Sequence, residues 1–439
     1  MQAIESKEHY LSAFRRNQTT GAAGVPPWLN DLRESAIASF AALGFPTTRN
    51  EEWKYTSVDP IAALAFGRGN GQAKTLTADE LLPLSFSDLS CNRLVFVNGV
   101  YVPQFSSLRE LPEGVRVQSL AEAILGDDQI LRPYLGRYAR YQRETFVALN
   151  TAFMEDGAVV VVPEGCRLEE PIYLVFASIA GEMPIASHPR NLIVLRSGSE
   201  AKIVESYVGL GTGTYFANAV TELVGEENAS VDHYRLQRET EKGFHIGTLE
   251  ARVGRNCNCM AHAITLGGSL VRNDVHVVLD GAGSECVLNG LYLMEGKQHV
   301  DNHTEIEHVQ PRATSLELYK GILSGSARGV FNGKIVVHKD AQKTDARQTN
   351  KNLLLSEGAM VNTKPQLEIH ADDVKCSHGS TIGQLDGDGL FYLRSRGMGL
   401  EDAQSLLSYA FASDVVGRMR IPRMRARLDD FLLTKFGRK

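Results

Sequence analysis

GSEAKIVE (198–205), EENASVDH (226–233), RNCNCMAH (255–262), GSECVLNG (283–290) and PRATSLEL (311–318) share one plan. Each opens with polar or turn residues, places a small residue third or fourth, and continues as an alternating strand. The small residues are Ala201, Ala229, Cys257, Cys286 and Ala313, at steps of 28, 28, 29 and 27. Evenly spaced strands without amphipathic helices between them predict a stacked or coiled sheet. A period near 28 suits two strands and two corners per coil of a β-helix or flattened β-solenoid. Small residues are required where adjacent coils approach closely. On this reading Cys257 and Cys286 are interior, apolar side chains.

Segments of different period flank this tract, so the chain reads as mainly β with α ends: a helical region over 1–90, the β-core over 91–385 and a helical region over 386–439. Trp28, Leu29, Leu32, Ala36, Ile37 and Phe40 fall at helical spacings behind Pro26-Pro27. RNEEWKYTSVDP (49–60) reads as a helix running into an extended arm that ends on Pro60, with Trp53 and Tyr55 as packing anchors. RLVFVNGVYV (93–102) is a hairpin signal through Asn98-Gly99. A helix is expected over about 136–154, after which AVVVVPEG (158–165) opens the strands. Past 386, DGLFYLRSRG (388–397) reads as a short helix closed by Gly397, and Gly399 caps the next. Ala403, Leu406, Leu407, Ala410 and Phe411 form an apolar stripe. About fifty residues make little core alone, so the stripe must pack on the β-tract or on another protein.

Composition narrows the function. With 439 residues, 43% apolar and 22% charged, the chain matches an ordinary globular protein, and a net charge of −6 gives no bias toward nucleic acid. The tail from Gly417 to Lys439 carries eight Lys or Arg against two Asp, a local +6 that reads as a solvated helix face. The first residues lack a secretion signal and no stretch is long and apolar enough to span a bilayer, so a soluble, cytoplasmic protein without a membrane association is expected. Six cysteines without a CxxC pair argue against a disulfide scaffold or zinc ribbon. No GxxxxGK[ST] loop occurs, so any nucleotide hydrolysis belongs to a partner and the chain reads as a non-enzyme.

Three stretches could carry chemistry. In DDVKCSHGST (372–381), Cys376 and His378 stand two apart on a strand, so both point to one face roughly 6.6–6.8 Å apart. Parallel side chains do not provide a nucleophile–base contact, and a shared ligand role fits better. In HVDNHTEIEH (299–308), His299, Asp301, His303, Glu305 and Glu307 share one strand face and His308 the other. These could bind a first-row metal, but a solvent-facing strand shows the same alternation and is the preferred reading. Cys257 and Cys259 would need two further ligands for a soft-metal site.

KPQLEIHADDVKCSHGSTIGQLD (364–386) followed by LFYLRSRGM (390–398) closely resembles the C-terminal signature of the SufB/SufD family of iron–sulfur cluster assembly proteins, in its SufD form. RNEEWKYTS (49–57) resembles that family's N-terminal signature. ALNTAF, with DG and VPEG beyond it (148–165), resembles the entry to its β-core. The SufB paralogue carries a cysteine in the segment matching LLLSEGAMVNTKP (353–365), where this chain has none, and no clustered cysteines occur near the N-terminus. Both departures favour the SufD form.

The resemblance implies a right-handed parallel β-helix with helical ends and an assembly role. Such chains pair with SufB through their β-helices, and each binds one copy of the ATPase SufC through its C-terminal helices. The complex receives sulfur from a cysteine desulfurase system, takes up iron and builds a transient cluster near the SufB–SufD interface. SufD is linked to iron entry, and a reduced flavin has been associated with the complex. Carried over by position, His378 is the first choice as an iron ligand, with Cys376 beside it, and Tyr392, Arg396, Gly397, Ala403 and Phe411 fall where SufC is expected. Whether the chain forms a homodimer without SufB is left open. Two readings compete: a polysaccharide-cleaving enzyme on a β-helix, which would want aromatic platforms where only two Trp occur, both outside the β-tract, and a self-sufficient metal binder using His299 and His303.

Overall fold

The repeat folds through its corners. Gly198, Asn228, Asn256, Gly283, Arg312 and Lys343 all adopt the left-handed conformation, with φ between 51° and 70°. Gly and Asn accept it readily, whereas other residues lose on the order of 1–2 kcal/mol there. The following residue is small and faces inward: Ser199, Ala229, Cys257, Ser284, Ala313 and Thr344 are at most 1% exposed. Two residues further on, a second inward column pairs from coil to coil through Ala201, Val231, Cys259, Cys286, Ser315, Ala346 and Cys376. The repeat seen in sequence therefore drew on both columns, Ala201 and Cys286 from one and Ala229, Cys257 and Ala313 from the other. Both are buried, so their common smallness hid the offset of two.

The structure, a computed structural model, describes residues 2–19, 24–69, 76, 91–126 and 128–437. Part of the first helical region (70–75, 77–90), and Arg438 and Lys439 of the basic tail, lie outside the described residues. Apart from Ile185–Ser187 and Arg190–Leu195, which follow one another in one sheet, consecutive strands fall in alternate sheets, giving eight coils from Ala158–Val162 to Lys375–Gly383. The coil-to-coil pairs are parallel, as a β-solenoid requires. Antiparallel pairing occurs near its beginning, where Arg116–Ser119 joins Ala158–Val162 and Asn92–Val97 joins Val100–Tyr101. That hairpin turns on Asn98 and Gly99, both at positive φ, as a type I′ turn demands.

Each sheet has one face on the lumen and one under helices. Leu223, Val231, Leu249, Leu288 and Phe331 belong to the lumen core. The helices Gln2–Thr19, Pro27–Leu43 and Thr145–Phe153 coat one sheet, where Tyr10, Phe40 and Phe146 meet Phe216, Phe244 and Ile246. Leu400–Val416 and Pro422–Phe436 coat the other, where Ala412, Val415, Met424 and Leu428 meet Val204, Leu236, Ile264 and Leu293. The C-terminal helices thus have a core, borrowed from the solenoid wall. All six cysteines are free, with Cys257 and Cys286 buried as the repeat implied.

Two local expectations are corrected. The helix expected over 136–154 is confined to Thr145–Phe153, with turns before it. The Glu222 carboxylate accepts the backbone N–H of Gly136, Tyr138 and Ala139 at 2.8–3.1 Å, taking donors that a helix would use. Glu222 is in turn paired at 2.7 Å with Arg190, both wholly buried. Pro60 does not end the arm. It sits in the first turn of a short helix, Asp59–Ala62, where a missing N–H costs nothing.

Gly283→Val would place a β-branched residue at φ +70°, its Cβ 2.7 Å from Asn256 Oδ1. Urea unfolding should show a loss of roughly 1–3 kcal/mol, while Arg312→Gly should be neutral or mildly stabilising. Glu317, in the lumen and 3% exposed, has its carboxyl pushed up by burial to about 7. The folded chain then holds that proton more tightly than the unfolded chain, so its contribution to stability falls as pH rises from about 4.5 through 7. Glu317→Gln should remove this loss, gaining about 3 kcal/mol at pH 8 relative to pH 4.

Candidate functional site

Among the described residues, the last coil is uncovered. Met360–Ile369 pairs along its length only with Arg328–Val337, and Lys375–Gly383 only with Asp345–Leu354, so each presents an open edge. An unpaired parallel edge is a template for another strand. Met360, Ile369 and Ile382 are 40–52% exposed beside it. Cys376 and His378 lie in register with Ala346 and Gln348, which are buried lumen residues, so both point toward the open end of the lumen.

Cys376 is half-buried against Leu367, Val374 and Ala346, and burial pushes its thiol up. It is therefore a thiol rather than a poised thiolate, and a soft metal would have to displace its proton. His378 is exposed, at the end of an inward column through Glu317 and Gln348. Gln348 Nε2 donates to Glu317 Oε2 at 2.7 Å, one rung behind the imidazole. Ser380 and Thr363 bridge the lumen mouth through their hydroxyls at 2.9 Å.

The C-terminal residues separate into two groups. Ala403 is wholly buried, and Phe411 is half-buried against the solenoid wall with the Lys320 ammonium 4.5 Å from its ring. Tyr392 and Arg396 are exposed and stack at 5.1 Å, next to Gly397 at φ +91°, which closes the helix Gly387–Ser395. Phe391 at 76% and Leu400 at 47% exposure complete an apolar, unburied surface. The sequence reading passed over Phe391. Its exposure on the helix Gly387–Ser395 was not visible without the fold.

HVDNHTEIEH departs from expectation. Its outward face does not meet solvent freely, because the arm Glu51–Thr56 lies across it. Thr56 Oγ1 donates to Asp301 Oδ2 at 2.6 Å, Glu52 contacts His303 at 3.3 Å, and Arg272 lies 3.8 Å from the Trp53 ring centre while bonding Asp301. Burial opposes the charge on Asp301, but His303 and Arg272 hold its carboxyl well below the usual range. His308 faces the lumen and contacts Ser315 Oγ at 2.9 Å.

Beside the arm runs a groove of about 700 Å³ lined mainly by charged and polar residues. Its aromatics, Trp53 and Phe146, pack on each other. One outward column, Glu222–Glu250–His276–Glu305, runs along this wall in register. His276 Nδ1 lies 2.7 Å from Glu250 Oε2, and its Nε2 lies 2.8 Å from Glu307 Oε1 and 3.7 Å from Glu305. Arg140 Nη2 approaches both that nitrogen and Glu307 at 2.7 Å. His276 and Glu250 were missed in sequence because they come from other coils, and Arg140 because it comes from the turn segment before Thr145–Phe153; counting along the coil period from Glu305 would have reached His276 and Glu250. Among the described residues, no helix is long and apolar enough to cross a membrane.

Comparison with known proteins accords with these signatures. Residues 4–174 match the SufBD protein N-terminal region, and residues 177–411 match the SufBD core domain of the SUF iron–sulfur cluster assembly system. An iron–sulfur cluster assembly SufBD family protein of Synechocystis is 35% identical over 91% of this chain and 89% of its own length. The iron–sulfur cluster assembly protein SufD of Escherichia coli is 34% identical over 86% of each chain. A chloroplastic protein of Arabidopsis thaliana, ABCI7, is 31% identical over 95% of this chain and 86% of its own length. The chain belongs to the SufBD family of iron–sulfur cluster assembly proteins, among whose members its homologues include proteins named SufD.

Proposed function

We propose that this chain is the SufD-type scaffold subunit of a complex with SufB and SufC, and that it performs no nucleotide chemistry itself. The open last coil is the observation that carries the reading. A β-solenoid whose final strands expose hydrogen-bonding edges can continue into a second solenoid, and SufB is the partner the family resemblance supplies. Joining the two would bury Met360, Ile369 and Ile382 and enclose Cys376 and His378 at the junction.

There, the His378 imidazole would bind incoming iron, and Cys376, once deprotonated by the metal, would supply a softer ligand. Iron and sulfur are cargo in this scheme, with sulfur arriving from a cysteine desulfurase system. SufC would dock on the exposed face around Phe391, Tyr392, Arg396, Gly397 and Leu400. Ala403 and Phe411 would act from behind, holding the helices against the wall. Without SufB, the same open edge would accept a second copy of this chain.

Co-expression of the tagged chain with SufB and SufC, and anaerobic purification, should yield one copy each of this chain and SufB with two of SufC by native mass. His378→Ala should preserve that assembly and lower the iron–sulfur content after reconstitution. Phe391→Asp with Tyr392→Ala should retain SufB and release the SufC copy bound to this chain. Recovery of the tagged chain alone would overturn the reading.

A further inference from the structure

We propose that His276, Glu305 and Glu307 form a site for a divalent first-row transition cation, and that the Arg140 guanidinium holds its place until the cation arrives. The three side chains offer ligand atoms that all lie within 4.8 Å of one another. They come from neighbouring strands, Leu270–Leu279 and His299–His308, and are set by coil register rather than by a mobile loop.

The imidazole is oriented as a ligand. Its Nδ1 faces Glu250, only 3% exposed, whose other oxygen, Oε1, is buried without a hydrogen-bond partner. A carboxylate on one ring nitrogen fixes the tautomer and directs the other nitrogen's lone pair at a metal. His338 Nε2, 3.3 Å from Glu307 Oε2, stands within reach as a further donor.

The contacts around Nε2 conflict as they stand. With Nδ1–H given to Glu250, a bare Nε2 can accept from Arg140 at 2.7 Å, but it then faces the Glu307 carboxylate as a second acceptor at 2.8 Å. A protonated Nε2 can donate to Glu307, but it then opposes the Arg140 N–H at 2.7 Å. Neither protonation state satisfies both contacts. A small dication in place of Nη2 satisfies Nε2 and both carboxylates together, since nitrogen and oxygen ligands sit about 2.0–2.2 Å from such an ion.

Access supports exchange. Arg140 and Glu305, each 33% exposed, line the groove, and Glu307 beside them is 18% exposed. Arg140 lies in the turn segment before Thr145–Phe153, not in a strand, and can swing out without disturbing the wall. One nitrogen and carboxylate oxygens suit manganese(II), iron(II) or zinc rather than copper(I) or calcium. The site is on the opposite sheet from Cys376 and His378 and faces outward, so it does not depend on the scaffold reading.

The test is manganese(II) titration of the full chain, followed by electron paramagnetic resonance, in a Cys376→Ser, His378→Ala background that silences the end coil. One ion per chain is expected, with hyperfine coupling to an imidazole nitrogen. His276→Ala and Glu305→Gln should each weaken binding at least tenfold, and Arg140→Met should tighten it severalfold by removing the competing cation. Circular dichroism of each variant checks the fold, and Glu305→Gln, being partly exposed, serves if His276→Ala unfolds. Binding indifferent to His276 and Glu305, no nitrogen coupling, or weaker binding in Arg140→Met would overturn the proposal.

Discussion

One residue held in the left-handed conformation at the same corner of six successive coils sets the geometry of this molecule. Gly198, Asn228, Asn256, Gly283, Arg312 and Lys343 turn the chain at the same corner of successive coils. The small residue after each lets the next coil settle directly onto the last. Because the turn recurs at the same place, strands pair in register and side chains stack in columns. Inward columns then must end somewhere, and two of them end at Cys376 and His378, where, among the described residues, no further coil covers them. An outward column on the opposite sheet gathers Glu250, His276 and Glu305, which are far apart in sequence.

Among the described residues, the two helical coats cover much of both sheet faces and leave the last coil free. The N-terminal coat is locked to its sheet by Arg190 and Glu222, buried together, with the carboxylate also holding three backbone amides. Removing one partner of such a pair leaves an uncompensated buried charge, which typically costs about 3–5 kcal/mol. The RNEEWKYTS arm adds a second clamp through Trp53, Glu52 and Thr56 over Arg272, His303 and Asp301. The C-terminal coat buries Val415, Val416 and Leu428 yet turns Phe391 and Tyr392 outward. Much of each face is covered while the solenoid end and one helix corner remain open, the arrangement expected of a part that is completed by partners.

Much of this was legible in local sequence. Asn98-Gly99, Pro26-Pro27, Gly397 and the evenly spaced small residues act through backbone conformation, which a residue largely controls by itself. Cys376 and His378 sharing a face followed from strand alternation alone. What could not be read depends on neighbours from distant coils. Residues 136–143 look helical until Glu222 takes their amides, and the outward side of 299–308 looks solvated until the arm covers it. The split of the C-terminal stripe into buried Ala403 and exposed Leu406 required knowing where the wall stands.

The central claim is that the open last coil is a joint for another solenoid, and amide hydrogen exchange measures it most directly. In the isolated chain, edge-facing amides of 360–369 and 375–383 should exchange quickly, while those of Asp345–Leu354, paired on both sides, stay protected. On addition of SufB, protection should rise at least tenfold across both terminal strands. If SufB binds and protects other surfaces while residues 360–383 exchange unchanged, the joint lies elsewhere and the account is wrong.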